Sequence, residues 1–562
     1  MSMTDNLRVF LWVALALAVW LTIEAWQRDY PPAVTAPPTV AATQPPAAAP
    51  SLPSMPGAAG AAPAAAPAPA ASAPGVAPPV ATTAVPAGPG PTLRVRTDVL
   101  DVAIALTGGD LNEARLPQYP VAKDKPDTKV ELLSPTPERW AVFQSGLRAA
   151  DGQPEPNHLA TWTAAGTEFA LAEGADELLV PLTWDSGTGV TVTKTYRFRR
   201  GHYDVAVEYL VRNGSAAPYQ AASYLQIDHL HRPPEQSMFD VETYSFNGPV
   251  AYNGESYEKL DVEELADQPF SQNVAAGWIA AIQHHFLVAA VPPAGETYQY
   301  AGRFANGRYQ LSAIGPVASV APGGEGRFNA QLFVGPKLQK QLREVAPGLE
   351  LTVDYGKLTL LAQPLFWVLE NIHRFIGNWG WTIIIVTLLI KAVFYKLAET
   401  SGRSMARMRK MQPRMQALQE RFKDDRAAMS QALMDLYKKE KINPAAGCLP
   451  MLVQIPFFIA FYWTLLESVE MRQAPFMLWI NDLSAKDPFF VLPLLMGVAM
   501  YFQQKMNPAP PDPVQAKIMN IMPVMFTGMF AFFPAGLVLY WLTNSVVSMA
   551  QQWRINKVLG AE

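Results

Sequence analysis

The chain has a single cysteine, Cys448, among its 562 residues. That excludes an intrachain disulfide, a CxxC redox pair and a zinc cluster built on cysteines. There is also no GxxxxGK[ST] phosphate loop: "DYGKLTL" carries Gly356-Lys357 without a glycine-rich turn before it, so ATP-driven work has no seat. Charge is scarce at 16%, and a formal net charge of -4 offers no basic surplus for DNA. Histidines are few. "DHLHRPP" puts His229 and His231 within reach of one strand face and His284-His285 follow, but neither pair has a clear third ligand. No metal, cofactor or catalytic residue is expected.

What the chain has in abundance is apolar surface, at 50% of residues, which points towards membrane. Residues 7–26, "LRVFLWVALALAVWLTIEAW", follow the grammar of either a cleaved signal or an uncleaved anchor. The run ends in bulky Trp20, Leu21, Thr22 and Ile23 with no small-x-small pair behind it, which favours an anchor over residues 1–30. Residues 31–91 are almost wholly Ala, Pro, Val, Thr and Gly, so they can bury no core and read as a disordered periplasmic tether.

From residue 92 to 353 the grammar is that of strands. Val190, Val192, Tyr196 and Phe198 lie at even spacings, Gly201-His202 interrupts, and Tyr203, Val205, Val207, Tyr209 and Val211 resume. This predicts a hairpin whose strands each bury one face, inside a large all-β sandwich. Residues 354–380 follow, with Leu360, Leu361, Leu365, Val368 and Ile372 near helical spacing and Trp367 and Trp379 beside them. That suits an amphipathic helix in the membrane interface, the alternative being a helix packed beneath the sandwich.

Five further apolar spans lie at about 381–397, 447–466, 488–503, 517–533 and 536–553, making six with the anchor. The loop 398–446 holds eleven Lys and Arg between Arg403 and Lys441, against Arg472 and Lys486 in the loop 467–487. The basic loop therefore belongs in the cytoplasm, with both termini, and the β domain outside, in a bacterial periplasm. Within that loop Met405, Met408, Met415, Leu418 and Phe422 follow a three-and-four spacing, and Asp424-Asp425 precede Met429, Leu433 and Leu436. A helical hairpin results. Met405, Met408 and Met415, with Arg407 and Arg409, are candidate partner contacts; the alternative is two helices that only pack on each other. Cys448, with no basic neighbour, reads as a small apolar packer. The span 488–503 is short against a bilayer, which would thin the membrane locally.

Lys391 lies inside the second span, "WTIIIVTLLIKAVFYKL". A cation held near the bilayer centre costs about 2.5–3.5 kcal/mol on insertion scales. Thr387, Lys391 and Tyr395 stand at i, i+4 and i+8, on one face of a continuous helix. With Gln454, Asn520, Thr527, Thr543, Asn544, Ser545 and Ser548 from other spans, they are candidates to line a wet groove open to the cytoplasm. The bland alternative is a snorkelling lysine with scattered interhelical hydrogen bonds.

Long segments then carry a resemblance. "NWGWTIIIVTLLIKAVFYKL", "KINPAAGCLPMLVQIPFFIAFY", "VEMRQAPFMLWINDLSAKDPFFVLPLLMG" and "MNIMPVMFTGMFAFFPAGLVLYWLTNS" resemble the YidC membrane-protein insertases of bacterial inner membranes. So do "LRVRTDVLDVAIALTGGDLNEARLPQYP" and "LFVGPKLQKQLREVAPGLELTVDYG" in the strand-rich part. The resemblance implies a polytopic α-helical membrane protein with six transmembrane helices, a five-helix insertase core over 381–562, and a periplasmic all-β supersandwich similar to sugar mutarotases. It implies a chaperone-like insertase for nascent inner-membrane proteins in the lipid bilayer, alone or with the Sec translocon and its accessory subunits. It also places the groove cation at Lys391, where many relatives have arginine, and matches Thr387, Gln454 and the Tyr540-Trp541 pair to the family. Lys396 replaces a common proline, so the helix is expected to run straighter there. The tail "RINKVLGAE" lacks the long basic extension of some relatives, so ribosome contact would lean on the 398–446 loop. Two rival classes stand beside this one: a sugar-binding or isomerising periplasmic enzyme on an anchor, and a secondary transporter, for which no paired repeat is seen.

Overall fold

The computed structural model describes residues 90–150, 152–233, 245–422, 425–440, 445–506 and 513–558. The expected anchor and nearly all of the tether lie outside the described residues. Two compact units divide near Tyr355: a β unit that also takes in Glu467–Glu470, and a helical unit containing Tyr355–Leu466 and the chain from Met471.

In the β unit, alternating strands form two large sheets, of eleven and nine strands among the described residues, paired antiparallel almost throughout. The expected hairpin is Val190–Arg199 against Asp204–Asn213, with Val205 opposite Phe198 and Val211 opposite Val192. Tyr196, Phe198, Val205, Val207, Tyr209 and Val211 are buried, because alternate positions of each strand face the other sheet. The buried face also contains Lys194, fully enclosed, which the apolar alternation passes over. Its Nζ donates to Ser145 O at 3.0 Å and lies 3.5 Å from Asp110 Oδ1, which accepts the Ser145 N–H at 3.0 Å. Burial drives Lys194 down to about 8 and Asp110 up to about 7, each opposed by the charge of the other. Asp110 and Ser145 lie on the eleven-stranded sheet and Lys194 on the nine-stranded one, so this centre ties the two sheets together. The chain reaches it through Gly108 and Gly109, with φ of 86° and 60°, a left-handed pair that a side chain would strain. Two short helices, α1 (Val262–Asp267) and α2 (Gln339–Val345), complete the unit.

The helical unit opens with α3 (Thr359–Ile376), which ends on Gly377 at φ 69°, and α4 (Trp379–Val393), capped by the Asn378 side chain on Trp381 N–H. Along α3 the buried residues are Ala362, Phe366 and Leu369, with Leu365, Val368 and Ile372 partly buried beside them. Leu360, expected on that stripe, faces outward. Next come α5 (Tyr395–Arg421) and α6 (Arg426–Lys439), then α7 (Ala445–Glu467), which contains Cys448. The last three are α8 (Val491–Lys505), α9 (Pro513–Phe530) and α10 (Ala535–Val558). Ile383, Val386, Phe461, Met496, Leu537 and Val538 form their shared core.

The second apolar span is broken. The helix stops at Val393, Phe394 leaves helical geometry at ψ 9°, and Tyr395–Met408 continues at 67° to Trp379–Val393. The straight helix expected on losing a proline is therefore absent. Beyond the bend α5 lies along α10, so closely that a Cβ on Gly402 would come within 2.8 Å of Ile555 Cδ1. Among the described residues no single helix is long and apolar enough to cross a membrane, although the bent pair passes that test together. The span expected at 488–503 is the fifteen-residue α8, about 22 Å long against roughly 30 Å of hydrocarbon.

Candidate functional site

Lys391 sits in the last turn of α4 and points inward, with only 6% of its surface exposed. Its Nζ donates to Ser548 Oγ of α10 at 2.8 Å, and Ser548 Oγ in turn donates to Asn544 O at 2.7 Å. Among the described residues no carboxylate lies within salt-bridge distance of this ammonium group. Its positive charge is left without a counterion there. One turn earlier, Thr387 is buried and donates to Ile383 O at 2.7 Å. Tyr395 lies past the bend, on α5, so it does not continue the Thr387–Lys391 face of one straight helix as its spacing predicted.

The other expected groove residues divide in two. Gln454 is half-buried on α7, one turn before Phe458, and Asn544 is half-buried one turn before Ser548. Tyr540 is a packing residue: its ring stacks on Phe461 at 4.5 Å and Phe458 at 5.9 Å. Trp541 joins the same aromatic cluster, 4.5 Å from Phe458 and 5.3 Å from Phe530. Asn520 is exposed, whereas Thr527 donates to Pro523 O of its own helix and Thr543 to Leu539 O of its own. Ser545 is buried.

In the basic hairpin, Met415 is buried together with Met411 and Leu433, and Met408, Leu418, Met429 and Leu436 pack around them. Much of the methionine stripe is thus occupied by the pairing of α5 with α6, which leaves Met415 unavailable as a contact surface. Met411, at the centre of that packing, was not in the expected set. Met405 is half-buried, Arg407 is exposed, and Arg409 lies on the same helix. Arg414 and Glu440 close the open end of the hairpin at 2.9 Å.

At the other end of the helical unit, residues 471–490 fold back onto the bundle. Asp482 accepts from Gln473 N–H at 3.0 Å and from Ser484 N–H and Oγ–H at 2.9 and 2.7 Å. The buried Asp487 accepts from Trp479 Nε1–H at 3.0 Å, Phe489 N–H at 3.1 Å and Leu492 N–H at 2.7 Å, which caps α8. Ala535 and Gly536 N–H donate to Ala485 O and Leu483 O at 2.7 and 2.8 Å, pinning the start of α10. Sequence patterns gave no sign of these two carboxylate hubs, because Asp in a loop reads as solvated.

In the β unit, His229 and His231 line a cavity of about 300 Å³ with Trp140, Gln283 and Tyr309. His229 stacks on Tyr309 at 5.2 Å, and Nδ1 makes a 2.7 Å hydrogen bond with Leu230 O. His284 and His285 stack on each other at 3.7 Å. Among the described residues no three His, Cys, Asp or Glu side chains converge on a metal-sized site.

Comparison with known proteins covers both units. Residues 371–562 match the family described as "60Kd inner membrane protein", and residues 92–368 match "YidC periplasmic domain". The chain is 49% identical over 573 residues to "Membrane protein insertase YidC" of Thioalkalivibrio sulfidiphilus, spanning 98% of each chain. It is 46% identical over 574 residues to the protein of the same name from Nitrosococcus oceani, spanning 99% of this chain and 100% of that one. A crystal structure described as an active YidC insertase with its first transmembrane domain resolved is similar at 19% identity and a TM-score of 0.37, covering 82% of this chain and 94% of that one. With such identity along its whole length, the chain belongs to the YidC family of bacterial membrane-protein insertases.

Proposed function

We propose that this chain inserts nascent proteins into the bacterial inner membrane, with Lys391 and Ser548 as the transient seat for a client's polar flank. The observation that carries the activity is the 49% identity over nearly the full length of a membrane-protein insertase. As a family member it is an inner-membrane protein with a periplasmic β domain, and its relatives are named as insertases rather than for a catalysed reaction. The inward-pointing ammonium group supports the finer mechanism. A hydrophobic segment enters from the cytoplasm, its acidic or polar flank rests beside Lys391, and its apolar face slides along α7 and α9 into lipid. Burial of the client's own apolar surface drives the step, aided by the membrane potential acting on acidic residues. No bond is made or broken.

The same reading includes six membrane-crossing segments, both termini in the cytoplasm, and a groove open to that side, with Thr387, Gln454 and Asn544 beside the lysine. The Sec translocon and the ribosome are the partners this reading gives it, with Arg407 on the exposed side of the hairpin as a ribosome contact. Photocrosslinking from position 391 to a stalled nascent membrane protein in inverted vesicles tests the seat. Lys391→Ala is expected to weaken insertion of acidic clients more than neutral ones, and Lys391→Arg to preserve both. Equal losses for both client types would remove the charge from the mechanism.

A further inference from the structure

Residues 471–490 hold backbone geometry that non-glycine residues rarely adopt. Of the four non-glycine residues with positive φ among the described residues, three are here: Gln473 at 59°, Leu478 at 55° and Phe490 at 56°. Leucine and phenylalanine rarely adopt this conformation, in which Cβ crowds the following carbonyl, and it persists only where surrounding contacts over-determine it. Those contacts are the Asp482 and Asp487 hubs, together with a tight turn in which Phe476 N–H donates to Ile480 O at 2.9 Å and Ile480 N–H to Met477 O at 3.1 Å.

The scaffold presents apolar side chains on two faces. Met471, Ala474, Ile480 and Leu483 are buried in the helical core. On the other face Met477, Phe489 and Phe490 are exposed, and Leu478 at the tip of the turn is 76% exposed. A tip built for water would carry Gly or Asn at the left-handed position and polar residues beside it. Tryptophans flank this tip. Trp381, itself exposed, meets Phe476 edge-on at 5.6 Å, and Trp479 lies 6.5 Å from Phe489. The exposed apolar row of α8, including Leu494, Leu495 and Val498, starts directly after Phe490. The tip contacts the N-terminal end of α4, through Asn378 Nδ2–H to Phe476 O at 2.9 Å, while the basic hairpin leaves from the C-terminal end of α4.

We infer that the Met477-Leu478 turn, with Phe489 and Phe490, is a lipid-docking wedge seated at the headgroup–acyl boundary of the outer leaflet. The inference rests on the membrane-embedded reading of the helical unit. A tryptophan-flanked apolar surface continuous with an apolar helix face fits that boundary, where indole rings also settle. The hubs hold the wedge rigidly, so it fixes the depth at which the short α8 sits.

The test uses the full chain in proteoliposomes, with Cys448→Ser leaving no native thiol. Single nitroxides are placed at Leu478→Cys and separately at Met477→Cys and Phe489→Cys, so that one strained position does not decide the outcome. Val498→Cys serves as the lipid reference and Asp127→Cys in the β unit as the water reference. Collisions with oxygen and with a water-soluble nickel chelate are compared by power saturation. The wedge sites are expected to favour oxygen, shifting towards the Val498 value. Chelate access equal to that at Asp127 would overturn the inference, and so would shielding from both reagents, which would mean that protein covers the tip. If Val498 itself reports water, the membrane-embedded reading fails and takes the wedge with it. If only the wedge sites do, that reading stands and the wedge alone is lost.

Discussion

Removing one partner of the Lys194–Asp110 pair should damage the β unit far more than removing both. The ammonium is fully buried 3.5 Å from the carboxylate. At an effective dielectric of about 20 that separation corresponds to a gross attraction of about 5 kcal/mol, set against the desolvation of both ions. Lys194→Met leaves a carboxylate enclosed with only the Ser145 N–H at 3.0 Å. Asp110→Asn leaves an ammonium held by the Ser145 carbonyl and by the ring faces of Trp162, Tyr196 and Tyr209 at 5.3–5.7 Å. Each single change is expected to cost about 3–5 kcal/mol, and the double change to fall within about 1 kcal/mol of the native protein. Hydrogen exchange on the intact chain in detergent reads this directly: amides of Val192–Tyr196 should lose about two to three and a half orders of magnitude of protection in either single variant and regain it in the double. The pH dependence has a definite sign. Asp110 is raised above its unfolded value to about 7, so its burial penalty is absent at low pH and accumulates as pH rises to that point. Without Lys194 that carboxyl titrates higher still, and the penalty continues to grow above pH 7. The loss in Lys194→Met should therefore deepen from pH 6 to pH 8. Additive losses in the double variant, or a loss independent of pH, would refute the paired-charge account.

Gly497→Ala should loosen α8 from α9, since its Cβ would fall 1.9 Å from Thr527 Oγ1. A loss of about 1–3 kcal/mol in detergent, recovered in part by adding Thr527→Ala, checks this. Asp487→Ala removes the acceptor for three N–H groups and should fray the start of α8. Faster exchange at Leu492 and a blue or red shift of Trp479 fluorescence would register it, at about 1–2 kcal/mol. Met415→Asp places an unpaired charge in the core shared by α5 and α6, and should expose the hairpin to protease while leaving the β unit resistant.

The β hairpin at Val190–Asn213 was legible because each strand buries one face, and a period of two survives any tertiary arrangement. Lys194 was not, since a lysine within the buried alternation reads as an interruption until the carboxylate of Asp110 appears from a strand more than eighty residues away. Lys391 could be found as a charge in an apolar run, and Ser548, 157 residues on, stood among seven polar residues grouped with it; which of the seven it bonds was visible only where α4 meets α10. The bend at Phe394 left no mark in "LLIKAVFYKL", which holds neither proline nor glycine; the close contact of Gly402 with Ile555 that accompanies it joins residues 153 positions apart, about as far apart in sequence as Lys391 and Ser548. Tyr540 and Trp541 matched a family motif, but the motif did not show that their rings join an aromatic cluster with Phe458 and Phe461. A motif fixes which residues are present and leaves their direction to packing.

The start of α10 is clipped by two main-chain hydrogen bonds to residues 483 and 485, with Gly536 buried against them. Its far end is held to α5 by side-chain packing at Gly402 and Ile555. The two ends of α10 are thus secured by different means, main-chain hydrogen bonds at one and side-chain contact at the other. A substitution at position 402 or 555 can therefore loosen one end of α10 and leave the main-chain clip at the other intact.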